Sequence, residues 1–278
     1  MNNLNAMLRF FSFFCWPAVG LFILSIGCVH SPYHSTNKVY YRQAREYAKV
    51  LRRYPLVDSM QASPYFAGTT NFTLRRPNFV VIHHTAQSTC DSTLLTFTTT
   101  RTQVSAHYVI CREGTVFHML NDYFRAHHAG ISRWGNTTDL NSSSIGIELD
   151  NNGLETFSDA QLTNLLLLLE RLKKSYGIPQ ANFLGHADVA PGRKVDPSRF
   201  FPWQTLAEKG YGYWYDTLSR PVPERFDPFQ ALRLIGYSLR DTLAAIQSYK
   251  IHFRPTDTTR VLSETDYKVL ADLLYKYQ

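Results

Sequence analysis

Five side chains in this sequence have the types and spacing for hydrolytic metal chemistry. His186 and Asp196 lie ten residues apart in the loop GHADVAPGRKVDP, with Pro191-Gly192 between them to turn the chain back. Such a turn brings an imidazole and a carboxylate to one point. With one further histidine they complete a three-ligand zinc site whose fourth position is left to water. Zinc lowers the pKa of that water towards ~7. A carboxylate outside the ligand set then accepts its proton, and a lysine beside the metal stabilises an oxyanion. His83, Glu148 and Lys194 supply residues of those three types. The same residues also serve plainer ends. A lone histidine is commonly a hydrogen-bonding core residue, and Asp before Pro is a turn former. Spacing by itself leaves both readings open.

The elements that must position these groups are legible. FVVIHH, from Phe79, is a short β-branched run of the kind that forms a buried strand, and it ends on the His83-His84 pair. Adjacent strand side chains point to opposite faces, so only one of the two reaches a common site. IGIEL at 145–149 is a second buried strand carrying Glu148, and NFLGH at 182–186 a third leading into the loop. Asp91 is expected to cap a helix running to about Thr100, and AHYVIC and TVFHML form a hairpin around Glu113-Gly114. Ser158 opens the best-defined helix of the chain, with Gln161 completing a capping box. Its apolar stripe is Leu162, Leu165, Leu166, Leu169 and Leu172, and Gly177 and Pro179 close it. Alternating strands and helices predict an α/β domain with a mixed central sheet flanked by helices. Beyond Pro221, Pro223 and Pro228, helical periods return over 229–239, 241–249 and 263–277. This small all-helical unit has too little core to stand firmly alone, so it is expected to dock on the first domain.

Composition narrows the class. With 44% hydrophobic and only 18% charged residues, the chain is neither disordered nor a coiled coil. The net charge of +7 suits anionic partners without choosing among nucleic acid, acidic lipid and cell-wall polymer. Four cysteines are too few for a disulfide scaffold and wrongly spaced for a four-cysteine zinc site. Residues 1–27 read as a secretory signal: Arg9 is their one charge, an apolar run covers Phe10–Ile26, and Gly27 precedes Cys28. Cys28 resembles the processed and lipidated cysteine of bacterial lipoproteins, although Ser25 stands where Leu is usual and Leu24 lies one position earlier. An uncleaved anchor is the other reading, because roughly 17 apolar residues sit at the lower limit for spanning a bilayer. Either places the domain outside the cytoplasm, tethered to a membrane, where a Cys90–Cys111 disulfide is permitted. Residues 28–60 follow as a polar tether and a basic, tyrosine-rich segment, with a short helix expected over Lys38–Arg53.

FVVIHHTA, SAHYVI, HHAG, SIGIELDNNG and GHADVAPGRKVDP occur in this order. Together they resemble the zinc-dependent N-acetylmuramoyl-L-alanine amidases of the type 2 amidase family, which are related to peptidoglycan recognition proteins. The resemblance covers about 78–205 and is specific, because five motifs agree in order and rough spacing. Among its members the sequence looks most like outer-membrane lipoprotein amidases that also act on anhydro-muropeptides. The tail, AIQSYKIHFRP and a final helix, is similar to their C-terminal peptidoglycan-binding-like helical domain.

Carried over by position, the resemblance implies zinc held by His83, His186 and Asp196, with Glu148 as the catalytic glutamate and Lys194 as the lysine supporting the transition state. It implies substrate-side positions for His128 and His107, while His127 is expected to be structural. A buried hydrogen-bonding role is equally open to His107. Relatives often carry Trp where His127 stands, which bears on the shape of the cleft; Trp134 is a candidate cleft residue or a core residue. The implied organisation is a lipoprotein signal at 1–27, a tether and basic segment at 28–60, a zinc amidase domain at 61–220 and a helical domain at 221–278. The implied partners are peptidoglycan, muropeptides and, through lipidated Cys28, the periplasmic face of the outer membrane. A non-catalytic recognition module is the competing class, but such relatives have lost a zinc ligand and this chain keeps all three positions and Glu148. A nucleic-acid partner rests on charge alone, without a recognised motif.

Overall fold

The computed structural model describes residues 31–53, 67–216, 218 and 221–278. The expected signal segment, Cys28 and part of the expected tether lie outside the described residues. Among the described residues no helix is long and apolar enough to cross a membrane. The chain divides into two units, Met1–Phe66 and Ala67–Gln278. In the first, the basic segment forms helix α1 (His34–Leu51), slightly longer than expected and with no buried residue.

The second unit is built on a five-stranded sheet. Its strands are β1 (Phe79–His84), β2 (Tyr108–Ile110), β3 (Val116–His118), β4 (Ser144–Leu149) and β5 (Phe183–Gly185), in the order β3-β2-β4-β1-β5. β1 pairs in parallel with β4 and β5, and the central strand β4 pairs in parallel with β2. β2 and β3 form the expected antiparallel hairpin, shorter than the apolar runs suggested. This is the mixed sheet anticipated from the alternation of strand and helix patterns. β1 and β4 are buried along nearly their whole length, as parallel strands covered on both faces must be.

The two faces are covered differently. On one, Val80 and Ile82 of β1 and Ile145, Ile147 and Leu149 of β4 pack with Leu165, Leu168, Leu169 and Leu172 of α3 (Asp159–Tyr176). The predicted stripe of α3 is displaced slightly: Leu168 is buried, whereas Leu162 and Leu166 are only partly so. The expected capping box of Ser158 and Gln161 is present, and Gly177 ends the helix at φ +65°, a left-handed position that glycine adopts without steric cost. On the other face, Phe79, Val81 and Leu184 join one apolar cluster with the tail. The tail helices are α6 (Pro228–Ile235), α7 (Thr242–Phe253) and α8 (Glu264–Tyr277). The helical segment expected after Pro221 therefore shares a compact unit and a core with the sheet.

Three further α-helices belong to this unit: α2 (Cys90–Thr98), α4 (His186–Val189) and α5 (Trp203–Glu208). α2 is capped by Thr89, which accepts the Ser92 N–H, and not by Asp91. A Cys90–Cys111 disulfide joins the start of α2 to the end of β2, with the Cα atoms 5.4 Å apart.

Candidate active site

Strand alternation decides what reaches the site. His83 and Glu148 are register partners on neighbouring strands. Val80 and Ile82 point to α3, so Val81 and His83 point the other way; on β4, Ser144, Gly146 and Glu148 likewise alternate with the α3-facing Ile145, Ile147 and Leu149. His84 takes the opposite side. Its Nδ1 accepts the Ser198 N–H at 3.1 Å, and its ring sits where a Cβ on Gly153 would come within 2.7 Å.

β5 ends at Gly185 and α4 begins on His186. The chain turns at Gly192, φ +76°, and returns with Asp196; the Ala187 N–H donates to the Asp196 carbonyl at 2.7 Å, tying the two limbs together. The result is a convergence of three atoms from two strand ends and a loop. His83 Nδ1 and His186 Nδ1 are 2.9 Å apart, and each is 3.0 Å from Asp196 Oδ2. All three residues are buried. A tetrahedral zinc site with bonds of about 2.0–2.1 Å has its ligand atoms roughly 3.3 Å apart, and two imidazoles with one carboxylate are a donor set zinc accepts. The residues present fit the metal.

The hydrogen bonds behind His186 point its lone pair inward. Its Nε2 lies 3.1 Å from the Ala129 carbonyl, which can only accept, so the ring proton sits on Nε2 and Nδ1 is bare. Arg193 caps this corner. One of its terminal nitrogens donates to the carbonyls of Ala129 (2.5 Å) and Ile131 (2.9 Å), using both protons. Its 3.3 Å approach to His186 Nε2 is therefore a contact and not a third donation.

The electrostatics are those of a buried polar cluster. Burial, then the neighbouring charge of His186, pulls the His83 pKa down to about 4. Burial and the charge of Asp196 push Glu148 up to about 8, with Lys194 pulling the other way. Glu148 is 9% exposed; its Oε1 is 3.9 Å from His83 Nδ1, and its buried Oε2 has no hydrogen-bond partner. A buried carboxylate oxygen without a partner is costly, and beside such a cluster it is placed to take a proton from water. Lys194 is half-buried, and its charge acts on both Glu148 and His83.

The other singled-out residues fall elsewhere. His107 is fully buried: its Nδ1 accepts the Gly146 N–H and its Nε2 donates to the Phe124 carbonyl, both at 3.0 Å. His128 lies 3.0 Å from His83 Nε2 through Nδ1 and 3.1 Å from Ser144 Oγ through Nε2. Both rings thus have both nitrogens engaged inside the protein, the buried hydrogen-bonding alternative for His107. His127 is exposed, and only its backbone is tied down, by Ser105. Trp134 is a core residue; it packs edge-on to Tyr237, 5.0 Å between ring centres.

Sequence reasoning missed Arg193, Asn141, Ser144 and Asp188. Asn141 Oδ1 accepts the N–H groups of His128 and Ala129. Asp188 accepts from the Gly185 N–H, the Tyr237 hydroxyl and His252 Nδ1 at 2.7–2.8 Å, joining the His186–Asp196 loop to the tail. One signal was available: small residues at two of three same-face positions in SIGIEL marked space for something to pack over β4.

A family profile described as N-acetylmuramoyl-L-alanine amidase matches residues 73–199. The chain is 35% identical over 213 residues to the N-acetylmuramoyl-L-alanine amidase AmiD of Escherichia coli, covering 65% of this chain and 76% of AmiD. It is 39% identical over 103 residues to the 1,6-anhydro-N-acetylmuramyl-L-alanine amidase AmpD of Haemophilus influenzae, covering 37% of this chain and 56% of AmpD. Among solved structures, AmiD from E. coli complexed with the substrate anhydro-N-acetylmuramic acid-L-Ala-D-γ-Glu-L-Lys aligns with TM-score 0.66 and 32% identity, over 81% of this chain and 95% of that one. AMPDH3 from Pseudomonas aeruginosa aligns with TM-score 0.67 and 28% identity, over 81% and 99%.

Proposed function

Since this chain belongs to the N-acetylmuramoyl-L-alanine amidase family, we propose that it hydrolyses the amide between the lactyl group of N-acetylmuramic acid, or its 1,6-anhydro form, and L-alanine. In this reading His83, His186 and Asp196 hold zinc, Glu148 moves the proton and Lys194 supports the developing oxyanion. The observation that carries it is the convergence of two bare imidazole nitrogens and one carboxylate oxygen beside the unpartnered Oε2 of Glu148.

When bound, zinc supplies a Lewis acid that acidifies water and polarises a carbonyl. Glu148 takes the water's proton at Oε2 and returns it to the nitrogen of the leaving L-alanine. Lys194 places its charge where the carbonyl oxygen becomes negative. Asp196 contributes the ligand set's one negative charge. Arg193 keeps the Ala129 carbonyl against His186 and so keeps that ring in register.

Defined muropeptides incubated with the protein, with and without a chelator, are resolved by mass spectrometry. Free peptide and sugar are expected, and the chelator should stop their release. Glu148→Ala should abolish turnover while zinc stays bound. Full activity in that variant would refute its role. Retention of cell wall without release of peptide would favour a recognition module instead.

The surroundings of the reaction belong to the same proposal. Residues 1–27 export the chain, Cys28 anchors it by lipid to the periplasmic face of the outer membrane, and the substrate is peptidoglycan or its recycled fragments. Residues 61–220 carry the hydrolysis. Residues 221–278 support it as a helical, peptidoglycan-binding-like part, and the core they share with the sheet supports a bracing role.

A further inference from the structure

The structure contains a polarised chain of hydrogen bonds behind His83, and we infer that Ser144 and His128 fix the tautomer of His83 so that its Nδ1 lone pair faces the metal position. This rests on the reading of His83 as a ligand. The direction is set at the far end. Ser144 Oγ lies 2.5 Å from the Leu140 carbonyl oxygen, and a carbonyl only accepts, so the one hydroxyl proton of Ser144 lies between them. Ser144 Oγ therefore has only lone pairs to offer His128 Nε2, 3.1 Å away, and His128 must carry its proton there. A neutral imidazole has one ring proton. His128 Nδ1 is then an acceptor, and His83 Nε2, 3.0 Å away, must donate to it. His83 in turn has no proton left for Nδ1, the atom that meets His186 Nδ1 and Asp196 Oδ2.

The relay is built, not incidental. Asn141 Oδ1 holds the backbone N–H groups of His128 and Ala129 at 3.0 and 2.8 Å. The His128 ring lies across Gly146, where a Cβ would come 2.4 Å from its Cγ. Ser144 and Gly146 share the strand face of Glu148, so one stretch of β4 supplies the proton acceptor of the reaction, the seat of the relay and its terminal hydroxyl. His128 is a positioning residue: it acts on the metal through His83, as outer partners of metal-bound histidines do.

The test measures zinc affinity of the full chain by competition with a chromophoric chelator, and the His83 tautomer in metal-free protein by ¹⁵N NMR. Wild type should show proton on Nε2 of His83. His128→Leu, which removes the acceptor, should weaken zinc binding about 10–100-fold and shift His83 towards the Nδ1–H form. His128→Gln, which offers a carbonyl oxygen in its place, should restore much of both. Wild-type affinity in His128→Leu, or an Nδ1–H tautomer in wild type, would overturn the inference. Should His128→Leu fail to fold, Ser144→Ala asks the same question at the end of the chain: weaker zinc binding supports the relay, and unchanged affinity and tautomer overturn it. If wild type binds no zinc, the ligand assignment fails first; the tautomer measurement reads the relay independently.

Discussion

At the residue scale, the site trades folding stability for reactivity. Glu148 has its folded-state pKa raised to about 8 from 4.5 by burial and by Asp196. A raised carboxyl contributes its stability fully below about pH 4.5, and that contribution is lost as pH climbs through about 8. Metal-free protein should therefore weaken by up to a few kcal/mol between pH 5 and pH 8, and Glu148→Gln should flatten the profile. Urea melts across that range read the slope; an unchanged slope in the variant would remove Glu148 as its source. Asp122 behaves oppositely. Burial pushes its carboxyl up, but hydrogen bonds from His118, Tyr108 and Tyr176 prevail and bring it down to about 2 from 3.8. Its contribution is complete above about pH 4 and is lost as pH falls through about 2. Asp122→Asn should cost about 1–3 kcal/mol at neutral pH and should remove that part of the acid sensitivity, measured by melts at pH 5 and pH 2. Of these residues, the strand period showed that only one of His83 and His84 reaches the site, and the family resemblance chose His83. The tyrosine partners of Asp122 and the Asn141 anchor of His128 were not legible, because they come from segments 13 to 54 residues away with no local spacing to betray them.

At the element scale, β4 does more than pair. Gly146 is a place where the ring of His128 replaces a side chain, so Gly146→Ala should destabilise the fold by about 1–3 kcal/mol through overpacking, and thermal melts would register it. Tolerance of alanine there would mean that His128 sits elsewhere. α3 is fixed at its start by more than its cap. Gln161 is fully buried and donates from Nε2 to the carbonyls of Ile110 and Asp150, clamping the ends of β2 and β4. The capping box was readable from Ser158 and its partner three residues on; the clamp was not, since it depends on where β2 and β4 end in space. The same limit explains α2. Asp91 is a good capping type, but Thr89 has the extended backbone a cap needs.

At the scale of the molecule, the tail is part of the hydrolase core. Phe79, Val81 and Leu184 of the sheet share an apolar cluster with Leu232, Tyr249, Phe253 and Leu270 of α6–α8. Buried Asp188, two residues after His186, accepts from Tyr237 and His252 of the tail. A chain ending at residue 220 should lose zinc binding together with folding, because it exposes the second face of the sheet and leaves Asp188 without two donors. Leu270→Ala should cost about 2–5 kcal/mol and should lower a single melting transition shared by tail and sheet; two separate transitions would show independent domains. The sequence marked the helices after Pro221 and their need to dock. It did not mark their destination, because an apolar stripe names no partner.

The covalent link between Cys90 and Cys111 closes a loop with a sequence separation of 21. By loop-closure entropy such a crosslink destabilises the unfolded ensemble by about 3 kcal/mol, an advantage available only where thiols are oxidised. A cell that makes this protein in a glutathione-buffered compartment begins with a softer product. Recombinant material from reducing cytosol and from an oxidising secretory route should accordingly differ in protease resistance, before any question of activity arises.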